Sequence, residues 1–297
     1  MTIERFVDAH IHLWQIRHLW QLSHIRYPWL TPPFSDDGPN GSVESIARDY
    51  LPADYRADAA GFNVTKTVHI DAGAHPGDAL METRWLQGLP GGPDAIVAFA
   101  ALNDPDVERL LAAHVESPKV RGIRHILNWH PDPRLTYGPD NLFDDPQLAK
   151  GYALLAKYGL SFDLQIYPVQ MLQAYEVVKN HPDILVMINH MGMPVDGVEP
   201  WRTGMRKLAE LPHVAVKISG LGFIDRNWTT QSIAPLIQET IDIFTPARVM
   251  FASDFPTDKL FSGYARQLTT YDELTAKFSQ QERDAMFAAN AERLYRI

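Results

Sequence analysis

Short apolar runs alternate along the chain with longer stretches in which apolar residues recur every three to four positions. The short runs fall at 5–10, 66–71, 95–101, 119–125, 160–166, 184–189, 213–218 and 248–253, and they read as eight strands. Helical patterns lie between them at 79–88, 104–115, 145–158, 169–180, 203–210 and 231–244, with more after 270. Eight strand–helix alternations in fewer than 300 residues predict an α/β fold of the (β/α)8 TIM-barrel type, spanning 1–297 as one domain. A doubly wound open sheet is the second choice. No Gly-rich phosphate loop follows the first strand, which counts against a nucleotide-binding version of it.

Local signals set several boundaries. Asn103-Asp104-Pro105 offers a cap and a helix-start proline after the third strand, and Phe143-Asp144-Asp145-Pro146 repeats the device. Asn180-His181-Pro182-Asp183 ends a helix before the sixth strand. The segment 14–50 is too long for an ordinary βα loop and carries Trp14, His18, Trp20, His24, Tyr27 and Trp29. In a barrel it leaves the catalytic end, so it is expected to form a lid beside His12. The plainer alternative is a packed loop whose aromatics fill a hydrophobic gap.

Composition narrows the chemistry. The 297 residues are 45% hydrophobic, enough for a substantial core, and the net charge is −9. A nucleic-acid or anionic-membrane partner is therefore not expected. Without cysteine there are no disulfides, thiol nucleophiles or thiolate metal sites. Glu4 and Arg5 precede the first strand, unlike a secretory leader, and no apolar run reaches the roughly 18 residues of a membrane helix. A cytoplasmic protein is the expectation.

Candidate chemistry begins with His10 and His12. Side chains two apart on a strand share a face, so the two imidazoles would aim at one point, where a metal or an anion fits. Catalytic groups of a barrel lie at the C-terminal strand ends. Those ends hold His69 and Asp71, Arg124 and His125, Asp163 and Gln165, Asn189 and His190, Lys217 and Ser219, and Asp254. The sharpest subset is His10, His12, His190 and Asp254, because imidazole and carboxylate are the usual ligands of zinc. Asp254 is also a candidate base toward water. On plainer readings His190 bonds backbone and Asp254 caps the helix before Pro256. Arg124 suits a carboxylate or a hydroxyl pair through its planar fork. His125 occupies the opposite strand face, so only one of the two points inward. Lys217, inside an apolar run, reads as a buried ion pair ahead of a carbamate or charge clamp.

Five stretches together resemble the amidohydrolase superfamily. They are Asp8-Ala9-His10-Ile11-His12-Leu13-Trp14, Gly122-Ile123-Arg124-His125, Asn189-His190-Met191-Gly192, Val216-Lys217-Ile218-Ser219-Gly220 and Phe251-Ala252-Ser253-Asp254-Phe255-Pro256. The branch they resemble is the amidohydrolase 2 group, which includes sugar lactonases and 2-pyrone-4,6-dicarboxylate lactonase. The resemblance spans the chain in matching order, and the joint occurrence of the short motifs is its specific part.

The resemblance implies a TIM barrel that opens a lactone ring by attack of water, with Asp254 as general base. His10, His12 and His190 fall where the family puts metal-binding or carbonyl-polarising histidines. The strand-four lysine of binuclear relatives is absent, Arg124 standing there instead, so one divalent ion, zinc first, or no metal at all is expected. The expected partner is a small lactone, a sugar aldonolactone or a related carboxylated one. Arg124, Arg226 and His125 would contact its oxygens, and Trp14, Trp20 and Trp129 would cover its ring. A homo-oligomer stays open. The alternative on the same His, His, His, Asp set is a metal-dependent decarboxylase of an unsaturated carboxylic acid.

Overall fold

The computed structural model describes residues 3–16, 25–37, 39–195 and 197–297. Eight strands lie where the apolar runs predict them: β1 Phe6–Ile11, β2 Val64–Ile70, β3 Ala95–Phe99, β4 Val120–Ile126, β5 Ser161–Gln165, β6 Val186–Ile188, β7 Val214–Ile218 and β8 Val249–Phe251. They pair in parallel, each with its sequence neighbour, in the order β1 to β8. β1 and β8 share no ladder among the described residues. Two backbone hydrogen bonds join them: Asp254 N–H donates to His10 O and His12 N–H to Phe255 O, both at 2.8 Å. The sheet thus closes into a (β/α)8 barrel, not an open doubly wound sheet.

The helices are α1 Pro52–Asp58, α2 Ala79–Gly88, α3 Val107–His114, α4 Pro146–Lys157, α5 Met171–Val178, α6 Val198–Ala209, α7 Leu221–Ile224, α8 Thr230–Phe244, α9 Tyr264–Leu274, α10 Gln280–Asp284 and α11 Asn290–Tyr295. Among them α4 starts as its sequence predicts. Asp145 caps it by accepting the Gln147 N–H at 2.9 Å, and Pro146 opens the first turn. α3 starts later than expected, because Asp104 folds a local turn by accepting the Asp106 N–H. α1 was not expected, since its seven residues are too few to show a helical period.

One apolar cluster takes Val7, Val68, Val97, Met187, Ala215 and Met250 from six of the eight strands, β1 to β3 and β6 to β8, and fills much of the interior. Leu294 and Tyr295 of α11 pack on it. Glu292 of the same helix pairs with Arg5 and Lys66, at the starts of β1 and β2. α11 therefore plugs the N-terminal end, and the other end is left for the site. The long segment after β1 is clamped at its base by paired backbone bonds between Trp14 and Tyr50. No described helix is long and apolar enough to cross a membrane.

Candidate active site

The seam between first and last strands gathers the sharpest sequence candidates. β1 delivers His10 and His12, the turn after β6 delivers His190, and the turn after β8 delivers Asp254. All four are at most 5% exposed. His12 Nε2 stands 3.1 Å and His10 Nε2 3.2 Å from the same Asp254 oxygen, Oδ1. The His190 ring lies 4.8 Å from that of His10, centroid to centroid. His190 and Asp254 both have left-handed backbone, φ 52° and 58°. Non-glycine residues rarely adopt it, and such strain persists only where the surroundings over-determine it.

Supporting bonds aim each group. His12 Nδ1 lies 2.8 Å from Ile70 O; a carbonyl only accepts, so Nδ1 carries the hydrogen and Nε2 presents a lone pair. His190 Nδ1 contacts Ser219 Oγ at 3.0 Å. The adjoining Gly220, at φ 62°, leaves room for that ring, since a Cβ there would sit 2.5 Å from His190 Nδ1. Asp8 holds the Asp254 turn from behind by accepting the Ser253 N–H at 2.8 Å and the hydroxyls of Tyr55 and Tyr264. Arg124 Nε donates to Asp71 Oδ2, Nη1 donates to Gln165 Oε1, and Nη2 donates to Asp71 O.

Burial dominates the electrostatics. It drives His10 and His190 well below the ordinary histidine value and His12 to about 3, so all three imidazoles are neutral. It pushes the Asp254 carboxyl up to about 8, against the pull of Arg124 and Lys217. Lys217 forms a fully buried ion pair with Asp163, as its apolar surroundings predict.

These groups open onto a cavity of about 480 Å³. His12, Arg124, Gln165, His190 and Asp254 form its floor, and residues 28–43 supply much of its wall through Trp29, Phe34, Asn40 and Val43. The described part of the long segment therefore lies over the mouth beside His12. It is fixed there by Trp29 Nε1–H to Ala72 O at 2.8 Å and by Tyr137 O–H to Asn40 Oδ1 at 2.8 Å. Trp20 falls outside the described residues, as do His18 and His24.

Other candidates are not on the wall. His10 stands behind Asp254. His125 faces away from the barrel axis, its Nδ1 accepting the Leu102 N–H at 3.3 Å, because Arg124 takes the inward position. Trp14 is fully buried, donates Nε1–H to Arg48 O and packs on Trp29, so it supports the lid from behind the cavity lining. Trp129 is half-buried outside the cavity lining. Arg226 is exposed and acts on the loop, donating to Pro39 O at 3.2 Å. Asp8, Tyr137 and Phe223, whose ring packs edge-on against that of His190 at the cavity lining, carry roles that the sequence pattern left unassigned; only Asp8, a buried acid opening the His-x-His stretch, had a local signal.

The donor set also fits one divalent ion. Ligand atoms of His10, His190 and Asp254 lie within 4.8 Å of one another. His10 Nε2 and Asp254 Oδ2 are both buried without a hydrogen-bond partner. Two imidazoles and a carboxylate suit zinc.

Comparison with known proteins follows the same lines. A family model described as "Amidohydrolase" matches residues 7–297. The uncharacterized protein y4mH of Sinorhizobium fredii is 41% identical over 302 residues, 98% of each chain. An L-fucono-1,5-lactonase of Burkholderia multivorans is 26% identical over 313 residues, covering 98% of this chain and 96% of its own. A solved amidohydrolase structure from Burkholderia multivorans with bound zinc has a TM-score of 0.79 at 25% identity, over 98% of this chain and 99% of that one.

Proposed function

Because this chain belongs to the amidohydrolase family, we propose that it is a lactonase, opening the ring of a small lactone by attack of water. The observation that carries the reading is Asp254: a buried carboxyl on the cavity floor, raised to about 8, with Oδ2 free of any partner. A base with a value near the working pH is the best compromise between being unprotonated and being strong. The 26% identity with an L-fucono-1,5-lactonase supports a six-membered sugar-type lactone.

In this reading the lactone carbonyl enters against His12 and His190. Asp254 takes a proton from the attacking water and returns it to the departing ring alkoxide. Arg124 has spent three of its five N–H groups on Asp71 and Gln165, and the other two face substrate oxygens. Burial of the floor keeps bulk water from competing, which strengthens each of these contacts. A divalent ion held by His10, His190 and Asp254 would supply Lewis-acid polarisation and a more acidic water.

The test is a panel of aldono-1,5-lactones, aldono-1,4-lactones and carboxylated pyrone lactones followed by pH-stat, with carbon dioxide measured in parallel on unsaturated carboxylic acids. One proton released per ring opened, with no carbon dioxide, is the expected result. Carbon dioxide release with every lactone left intact overturns the reading in favour of a decarboxylase.

A further inference from the structure

Gln165 and Arg124 reach the cavity floor from neighbouring strands. The register of β4 on β5 sets Arg124 beside Asp163 and Ile126 beside Gln165. Alternation then turns Asp163 and Gln165 to the same inward face of β5. Asp163 is buried in its ion pair with Lys217, and Gln165, one layer nearer the mouth, lines the cavity with Arg124. A guanidinium only donates, so the Gln165 atom 3.1 Å from Arg124 Nη1 is the carbonyl oxygen Oε1. That contact settles which way the amide points. Nε2, with its two N–H donors, is the end left to face the cavity, and it has no hydrogen-bond partner among the described residues. Elsewhere on the wall the donors are engaged by the protein itself: Trp29 Nε1–H by Ala72 O, Tyr137 O–H by Asn40 Oδ1 and Thr136 O–H by Gly138 O.

Asp71 fixes the charge of this corner. Its Oδ2 accepts Arg124 Nε–H at 3.2 Å, its backbone O accepts Nη2–H, and its Oδ1 accepts the Gly73 N–H at 3.0 Å. Arg124 and Asp71 are 5% and 1% exposed, so little water screens the pair. Among the described lining residues Arg124 is the single cation, since His12 and His190 are held neutral. Lys217, below the floor, already has Asp163. We propose that Gln165 is a specificity-determining residue, its amide donating together with Arg124 to uncharged substrate oxygens, and that Asp71, by pairing with Arg124, makes the site one for neutral and not for carboxylated lactones.

The physical reason is what each ligand gives up to enter. A carboxylate leaves a strong hydration shell and needs an opposite charge in return. Here the one cation on the wall is already met by Asp71, and the Asp254 carboxyl stands on the same floor. A hydroxyl or carbonyl oxygen loses less water, and N–H donors alone satisfy it. Arg124 and Gln165 supply such donors from rigid strands, while Phe34, Val43, Ile126 and Phe223 give the rest of the ring an apolar wall. Discrimination therefore comes from a compensated charge as much as from the contacts made.

The inference rests on the lactonase reading and narrows its substrate, so its test reads binding apart from turnover. Calorimetry compares an aldono-1,5-lactam with the same lactam whose hydroxymethyl group is oxidised to a carboxylate. Neither ligand is hydrolysed, and protein as purified is used throughout, so any bound ion is common to every comparison. The wild type should bind the neutral lactam about tenfold more tightly or better, the scale of one hydrogen bond to a charged group. Gln165→Glu keeps an acceptor for Arg124 and replaces the donor end with a second acceptor, so affinity for the neutral lactam should fall about tenfold. Asp71→Asn keeps shape and frees the Arg124 charge, so the preference should shift about tenfold toward the carboxylate. A carboxylated lactam bound as tightly as the neutral one by the wild type, or neutral binding unchanged in Gln165→Glu, overturns the proposal, even where lactones are hydrolysed. Selective binding without hydrolysis of any lactone overturns the lactonase reading alone, and binding of neither lactam overturns both. Should Asp71→Asn not fold, the wild type and Gln165→Glu decide.

Discussion

Asp254→Asn separates what the carboxyl does for the reaction from what it does to the fold. The substitution keeps shape and removes basicity, and the new amide can donate to the His12 Nε2 lone pair 3.1 Å away. Positioned bases contribute about 10²–10⁴-fold, so kcat for lactone hydrolysis should fall by at least about a hundredfold, roughly 2.7 kcal/mol of barrier. KM should change little, because the lost interaction is with the transferring proton. Stability should move the other way. In the metal-free protein burial raises this carboxyl from 3.8 to about 8. A raised folded value gives stability that is complete below pH 3.8 and is lost as pH rises through 8. At pH 7 that loss is on the order of 4 kcal/mol as an upper bound. Part of it is offset in the variant by incomplete hydrogen bonding of the amide, about 1–3 kcal/mol. Urea unfolding of metal-free protein should therefore show the variant gaining on the wild type as pH rises from 4 to 8. The kinetic assay belongs near pH 8, where Asp254 is ionised in an appreciable fraction, with the spontaneous ring opening subtracted. A correctly folded variant with near wild-type kcat refutes the assignment of the base, and a stability gap independent of pH refutes the electrostatic argument.

Gly220→Ala places a Cβ 2.5 Å from His190 Nδ1 at a residue with φ 62°; kcat should fall about tenfold or more if a small ring displacement costs what misplacement usually does, and an unchanged kcat would show that the His190 position is not critical. Trp29→Ala removes the hydrogen bond to Ala72 O and part of the cavity wall, so KM should rise about fivefold or more for the roughly 1 kcal/mol of that bond, with kcat largely kept. Elemental analysis of protein purified without chelator should find at most one zinc per chain, since the described residues hold a single group of three suitable donors; two equivalents would contradict this. Burial lowers His114 and His125 from 6.5 to about 4. The stability that depends on their staying neutral is complete above pH 6.5 and is lost as pH falls through 4, up to roughly 3 kcal/mol for each; His125→Gln should flatten the acid limb of a urea-midpoint profile, and an unchanged slope would refute the assignment.

How far the sequence discloses this molecule depends on whether a feature is local. The strands are local: each is a short stretch rich in apolar residues with a polar group at or near its end. The two shortest, β6 and β8, with three residues each, are followed by the left-handed turns that carry His190 and Asp254. No hydrophobic period registers such turns. His10, His12, His190 and Asp254 are legible because motif and strand-end position coincide. Asp8 is not, because its partners Tyr55 and Tyr264 are 47 and 256 residues away and only folding makes it a support for Ser253. The same holds for Lys217, whose partner Asp163 arrives from β5. Alternation on β4 allows one inward side chain of Arg124 and His125, and the Asp71 and Gln165 contacts decide it for Arg124. Trp14 shows a different limit, since a large aromatic near a site is as useful for propping a loop, as Trp14 does against Trp29, as for covering a ring.

Barrel closure and the site share the same atoms. Among the described residues β1 and β8 are joined through Asp254 N–H to His10 O and His12 N–H to Phe255 O, not through a ladder. The peptide groups that close the sheet therefore belong to the residues that carry the proposed chemistry. Asp254 adopts φ 58° because its N–H must reach back to β1 while its C=O accepts the Asp258 N–H in the next turn. A left-handed non-glycine residue costs on the order of 1–3 kcal/mol. Here that cost aims the carboxyl between two imidazoles and closes the barrel at once. A relaxed backbone at this position would lose both, so substitutions at the seam should be read with stability and rate measured together. Asp8→Asn is the sharpest case: it removes either the acceptor for Ser253 N–H or the acceptor shared by both tyrosine hydroxyls, touches no cavity atom, and still should lower both.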